Sequence, residues 1–132
     1  MILVDTSVLI DFFKGVSNTP ADRMREILTH QIPFGITSCI YQELLQGAKS
    51  EKEYALLRDY LSSQRFFHPR DVVKSYEDAA NIYLACRKKG VTLRSTIDCL
   101  IAQIALEQGL LLLHNDKDFD IMASVIGLRF YR

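Results

Sequence analysis

Four carboxylates stand out: three belong to places where a strand hands the chain over to a helix, and the fourth opens a helix of its own. Asp5 directly follows the apolar run 1–4, and Glu43 lies in the early turns of a helix expected after residues 34–37. Asp98 comes three residues after Ser95, in the first turn of its own helix, and Asp116 follows the apolar run 110–113 with two residues between. Gathered in one crevice, such groups repel: a pair about 4 Å apart costs about 4 kcal/mol at an effective dielectric near 20, so something cationic has to sit among them. An all-oxygen donor set without nearby Cys or His favours Mg2+ or Mn2+ over zinc, and carboxylates plus substrate phosphate are the usual partners of Mg2+. Bound cations acidify a water and stabilise the attacking and leaving oxygens of a phosphodiester, often as two ions about 3.5–4 Å apart. The chemistry expected is metal-assisted phosphodiester hydrolysis.

Each acid also has a plainer reading. Asp5 can cap a helix, Asp98 completes a Ser-x-x-Asp capping pattern with Ser95, and Glu43 can be an exposed helix residue. Asp116 and Asp118 sit in a polar turn entering a helix, where acids suit the macrodipole. The joint pattern, rather than any single acid, points to chemistry.

The elements that must position these acids follow from apolar periodicity and punctuation. Residues 1–4 suit a strand buried on both faces, with Asp5, Thr6 and Ser7 offering capping side chains to the helix that follows. Thr19 and Pro20 read as cap and first residue of a helix carrying Met24, Ile27 and Leu28 up to His30. A strand over 34–37 leads to a helix from Ser38 with Ile40, Tyr41, Leu44 and Leu45 on one side and Gly47 near its end. Ser50 and Glu53 form a capping box opening a helix whose buried stripe is Tyr54, Leu57 and Leu61. Phe66 and Phe67 make a small strand. A longer helix buries Tyr76, Ala79, Ala80 and Tyr83 and ends at Arg87, Lys88, Lys89 and Gly90. Ser95 opens a helix with Ile97, Leu100, Ile101, Ile104 and Ala105 facing inward, closed by Gly109. Residues 110–113 form the clearest buried strand, 116–123 a last helix and 128–131 a final short strand. Strands without polar alternation, separated by helices, predict an α/β fold of three layers around a parallel sheet. Ligands in such sheets bind beyond the carboxyl ends of the strands, where Asp5, Glu43 and Asp116 lie, and Asp98 joins them if the amino end of its helix points at the same crevice.

With 132 residues, 48% of them hydrophobic, the chain has material for a single core, and one domain over 1–132 is expected. Lys plus Arg and Asp plus Glu are equal at 16 each, so no global field draws the protein onto nucleic acid or an anionic membrane, and any such contact must be local. No apolar run approaches a membrane span, and residues 1–4 meet Asp5 at once without a basic leader, which predicts a soluble, unsecreted protein without membrane contact. Cys39, Cys86 and Cys99 lack any CxxC spacing, which argues against disulfides or a thiolate zinc site and fits a reducing cytoplasm.

The segments MILVDTSVLIDFF, SCIYQELLQG, GVTLRSTIDCLIAQIALEQG and LLLLHNDKDFDIMA resemble, in order and spacing, the landmarks of PIN domains of the VapC toxin type. The resemblance spans essentially the whole chain. It implies a three-layer α/β/α PIN fold with a small, mainly parallel central sheet. It also implies an endoribonuclease using Mg2+ or Mn2+, leaving 5′-phosphate and 3′-hydroxyl ends, and acting on structured RNA such as tRNA or rRNA. Homodimerisation and a cognate VapB-type antitoxin are implied as well. Asp5, Glu43, Asp98 and Asp116 match the four acidic positions of the family, and Thr6 and Asp118 match its supporting polar and acidic positions. By that analogy Asp5, Asp98 and Asp116 bind metal directly, while Glu43 binds a second ion or orients the attacking water. Thr6, Asn115 and Asp118 hold the ligand rotamers. Many PIN domains have Thr or Ser where this chain has His114, which either reaches a phosphate or orders the strand end.

Arg87, Lys88, Lys89 and Arg94 flank Gly90 and are candidates for phosphate contacts, although basic residues at a helix end also serve the dipole. Tyr54, Tyr60, Phe66 and Phe67 either form a groove for an amphipathic partner helix or pack in the core. Cys99 has no His partner in view, so it reads as a buried thiol rather than a nucleophile. Two rival functions remain. A phosphoacceptor receiver domain would need an acidic pair at the end of the first strand and an Asp at the end of a central one; Asp5 stands without an acidic neighbour, and the second strand ends in Thr37 and Ser38. A catalytically silent PIN scaffold that binds RNA or protein commonly loses acids, and all four remain.

Overall fold

The computed structural model describes residues 1–132. In chain order it contains β1 (Ile2–Val4), α1 (Thr6–Phe13), α2 (Thr19–Thr29), β2 (Phe34–Thr37), α3 (Ser38–Gln46), α4 (Glu51–Leu61), β3 (Arg65–Phe67), α5 (Lys74–Lys88), α6 (Thr96–Gln108), β4 (Leu111–Leu113) and α7 (Lys117–Ala123). The four strands are all parallel in the order β3-β2-β1-β4, with helices on both faces. This is the α/β/α architecture that the alternation of apolar runs and helices predicts.

Ile2, Leu3 and Val4 are all buried because β1 is central and covered on both sides, which explains its lack of polar alternation. Its register sets Val4 beside Leu113 of β4 and Leu3 beside Gly35 of β2, so the chain leaves the sheet at neighbouring points at Asp5 and after Leu113. Gly35 is dictated by close approach: a Cβ there would lie 2.7 Å from the Arg65 carbonyl and against the Phe67 ring.

Several local expectations shift by a residue or a face. The cap of α2 is Asn18, whose Oδ1 accepts from the Ala21 amide at 2.9 Å, and Thr19 is the first helical residue. Ser50 accepts from the Glu53 amide, but the Glu53 carboxylate reaches back to the Lys49 amide instead of that of Ser50. Tyr54 is exposed, leaving Leu61 as the buried anchor of α4. On α5 the buried stripe is Ser75, Ala79, Ile82 and Cys86, while Tyr76 and Ala80 face outward. Ser75 tolerates burial because its hydroxyl donates to Glu107 of α6. Ile97 is exposed too, and the inward face of α6 runs through Cys99, Leu100, Ile101, Ile104 and Ala105. The expected strand over 128–131 is reduced to one bridge, between Phe130 and Leu112. There the Leu112 amide donates to Arg129 and the Leu112 carbonyl accepts from Tyr131; with β4 only three residues long, its outer edge has room for no longer ladder.

Candidate active site

Because β1 and β4 are paired to their ends, Asp5 and the 114–116 turn are neighbours, and the Asp5 amide itself donates to the Leu113 carbonyl at 2.9 Å. Asp5 is 4% exposed and caps α1. Its Oδ2 accepts from the Ser7 amide at 3.0 Å and the Ser7 hydroxyl at 2.6 Å, and the same hydroxyl accepts from the Asn115 amide at 2.9 Å. Ser7 therefore fixes the Asp5 carboxylate and pins the β4–α7 turn with one oxygen. Asp11, one helical turn further on, accepts from the Asn115 side chain at 3.2 Å and that of Asn18 at 3.0 Å. Thr6 donates to Glu43 Oε1 at 3.3 Å, bringing the α3 acid toward the end of β1.

Asp116 caps α7, accepting from the Asp118 amide at 3.0 Å, and its own amide donates to His114 Nδ1 at 3.1 Å. That bond assigns Nδ1 as the unprotonated nitrogen of His114. The ring is packed between Phe119 and Phe130 at 5.2 and 4.4 Å, with Nε2 3.5 Å from Asp120. Burial holds its pKa below the ordinary imidazole value, against the opposing pull of Asp120 and Asp5. His114 thus orders the strand end.

Asp98 lies at the start of α6, half-buried, without a hydrogen bond to its carboxylate; Ser95, though in the cap position, makes no capping bond with its side chain. Burial first, and then the charges of Asp5, Asp116, Glu43 and Asp118, push the Asp98 carboxyl up to about 7. Burial and the Asp116 charge likewise raise Asp5 against the lowering effect of the Ser7 bonds. Glu43 is raised by burial of its carboxylate and by Asp5. The four acids predicted from spacing therefore share one electrostatic neighbourhood, in which each extra negative charge is costly.

One cation already answers that repulsion. Arg94, from the loop before α6, reaches Asp116 Oδ1 through Nη2 at 2.8 Å and Asp118 Oδ2 through Nε at 3.4 Å. Its backbone amide also donates to Asp118 Oδ2 at 3.0 Å. Asp118, 4% exposed, is the anchor of this loop. Arg94, a candidate for phosphate contact, is paired with Asp116 and Asp118 in this structure while its side chain stays exposed. Arg87, Lys88 and Lys89 are exposed at the end of α5 and pair with none of these acids. As the side chains stand, no three His, Cys, Asp or Glu groups are disposed to hold one ion.

Ser7, Asp11 and the Arg94 pairings are site features that the acidic motifs do not single out. The i, i+4 spacing of Ser7 and Asp11 on one helix face is the available signal. Cys99 is buried, its thiol pushed up to about 11 by burial, as suits a packed thiol. The receiver-domain reading loses its last support, since Thr37 at the end of β2 caps α3 by accepting from the Ile40 amide at 3.2 Å. The aromatic set divides: Phe67 is buried and Phe66 packs on Tyr41 at 5.3 Å, whereas Tyr60 meets Phe13 edge-on at 6.0 Å at the surface.

A model of the PIN domain family matches residues 2–125 of this sequence. The chain belongs to the PIN-domain family. Among relatives of this PIN domain, ribonuclease VapC11 of Mycobacterium tuberculosis is 33% identical over 131 residues, covering 98% of this chain and 96% of that protein. The fold is similar to that of VapBC-1 from nontypeable Haemophilus influenzae, with a TM-score of 0.73 at 20% identity over 99% of this chain and 97% of that one. It is also similar to VapBC2 from Rickettsia felis, solved bound to a promoter DNA fragment, with a TM-score of 0.71 at 20% identity over 99% of this chain and 98% of that one. No helix of the PIN domain is long and apolar enough to cross a membrane.

Proposed function

We propose that this PIN domain is a metal-dependent endoribonuclease, the toxin of a VapBC-type pair, that hydrolyses phosphodiester bonds of structured RNA such as tRNA or rRNA. The observation that carries the reading is that Asp98 stands in one electrostatic neighbourhood with Asp5, Asp116 and Glu43, where burial first and then their charges raise its carboxyl to about 7. Identity of 33% over 131 residues to a protein named as a ribonuclease supports the same reading.

The donor chemistry suits Mg2+ or Mn2+, and the carboxylates would have to turn toward a shared ion, since no three are so disposed as they stand. The set is all oxygen, and Asp98 has its lone pairs free of hydrogen bonds in a field that favours a cation. Asp5, Asp98 and Asp116 would hold the ion, with Glu43 holding a second one or the attacking water. When bound, the metal supplies Lewis-acid polarisation of the phosphate and acidification of water. The chain's own contribution is positioning. Ser7 fixes the Asp5 rotamer, Thr6 turns Glu43 inward, Asn115 and Asp11 hold the β4–α7 turn, and Asp118 holds the Arg94 loop. An ion held by Asp116 would compete with the ion pair between Asp116 and Arg94 and would leave that guanidinium available to a phosphate.

A cognate VapB-like antitoxin fits the shallow groove of 150 Å3 between α1, α3 and α4, where Ile10 and Phe13 are 39% and 40% exposed beside Leu44 and Leu57. That arrangement suits the apolar face of an amphipathic helix. A homodimer fits the α5/α6 face, where Tyr76, Leu84 and Ile97 are exposed around a groove lined by Ala80, Tyr83 and Leu100. The catalytically silent scaffold is the second reading, favoured by the neutralisation of Asp116 and Asp118 by Arg94.

The deciding experiment is incubation of total cellular RNA with the purified protein and Mg2+ or Mn2+, beside Asp5→Asn protein and an EDTA control. Discrete metal-dependent cuts, absent in the variant, establish the nuclease. Folded, antitoxin-free and metal-loaded protein that leaves RNA intact establishes the scaffold.

A further inference from the structure

The largest concavity of the molecule lies next to the carboxylate crevice. It is a cleft of about 640 Å3 beside the outer edge of β4, walled on one side by the start of α2 and on the other by residues 130–132. Asp116 belongs to both, so the cleft opens directly from the proposed reaction centre. Its volume is within the roughly 300–1,000 Å3 typical of ligand sites.

The lining carries three cations, Arg23, Lys117 and Arg132. Of the two acids among its walls, Asp116 is held by Arg94 at 2.8 Å, while Asp120 lies 3.5 Å from His114, another wall residue, so three cations face two acids. Lys117 takes part in no ion pair, Arg132 lies over the Phe130 ring at 5.9 Å, and Arg23 meets only the exposed Glu26 at 3.1 Å. The cleft therefore offers positive charge in a protein whose formal net charge is +0. The amino end of α2, an eleven-residue helix, also opens on it at Thr19 and adds the positive end of its dipole. Tyr131, partly exposed, supplies an aromatic surface within the same cleft.

We propose that this cleft seats the sugar–phosphate backbone of single-stranded RNA on one side of the scissile bond. Lys117, Arg23 and Arg132 contact successive phosphates and Tyr131 stacks on a base. Cation-lined grooves with stacking aromatics bind single strands without reading sequence. The inference rests on the nuclease reading of the adjoining crevice. The end of α5, with Arg87, Lys88 and Lys89, lies outside this cleft.

Anisotropy of a fluorescein-labelled single-stranded RNA oligonucleotide tests it, read in EDTA from about 50 to 200 mM salt, where phosphate contacts dominate the salt dependence. The Lys117→Ala, Arg23→Ala, Arg132→Ala triple variant should bind at least about tenfold more weakly at the low-salt end, with the log–log salt slope flattened by about 2 for three lost single-strand phosphate contacts. Lys52→Ala, a charge removal on α4, should match the parent. Should the triple variant misfold by circular dichroism, Lys117→Ala alone decides between the outcomes through a slope change of about 0.7. Parental affinity and slope in the variants overturn the proposal. So does a loss of binding confined to a VapB-type antitoxin, which would make the cleft a protein site. RNA held through these residues but never cut with Mg2+ or Mn2+ keeps the cleft and sinks the nuclease, whereas cutting with unaltered affinity in the variants does the reverse.

Discussion

Asp98 sits in an environment far from that of a solvated carboxylate. Its pKa is raised, from 3.8 to about 7, so the folded chain holds a proton that the unfolded chain releases. The stability contributed by this group is full below the unfolded value and is lost as pH rises through 7. Asp98→Asn should therefore melt several degrees above the parent at pH 8 in EDTA, for about 1 kcal/mol after solvent screening, and alongside it at pH 4, by thermal unfolding. An unchanged or lower melting point at pH 8 would show that the charge is not repelled. Ser7→Ala leaves every acid in place but frees the Asp5 rotamer; it should weaken Mn2+ binding by about 10–100-fold, measured by calorimetry. Arg94→Ala should do the opposite, raising Mn2+ affinity by removing the competing guanidinium from Asp116. Asp5 and Asp116 were legible because each follows an apolar run, Asp98 because it opens a helix, and Glu43 because its helix follows a strand directly. Arg94 was not, because its partnership with Asp116 and Asp118 joins positions more than twenty residues apart, and spacing along one element cannot show it.

At the scale of elements, the parallel sheet depends on how closely β2 and β3 approach at Gly35. Gly35→Ala should destabilise by about 1–3 kcal/mol through overpacking against Phe67 and the Arg65 backbone, read as a fall in denaturation midpoint. An unchanged midpoint would mean that β3 shifts freely. Element order and type were legible in the sequence, since continuous apolar strands and Gly-terminated helices leave few alternatives. The buried face of α5 was not. Tyr76, Ala79, Ala80 and Tyr83 do recur at helical spacing, but apolar residues occupy both sides of this helix, and only the packing against α6 selects Ala79, Ile82 and Cys86. The same ambiguity moved Ile97 outward. Both departures fall on one surface, which is why periodicity misread it: a helix with a second apolar face has more than one stripe to offer.

At the scale of the whole molecule, that surface should govern assembly. Ile97→Asp is expected to turn a dimer into a monomer in sedimentation velocity while preserving the far-ultraviolet dichroism. A dimer that survives this change, together with Leu84→Asp, would move the interface elsewhere. Composition foretold a single core without a global field; in the structure 28 buried hydrophobic residues form one cluster. It could not foretell the cleft, whose walls come from three separate stretches of the chain.

The bridge between Leu112 and the 129–131 segment bears on a hazard common to open sheets. β4 is an edge strand, and the segment saturates the outward amide and carbonyl of Leu112, the groups through which a foreign strand would dock. A fusion or truncation that drew this segment away would leave a short apolar template bare. The first symptom would be self-association through added strands, arising before any loss of the core.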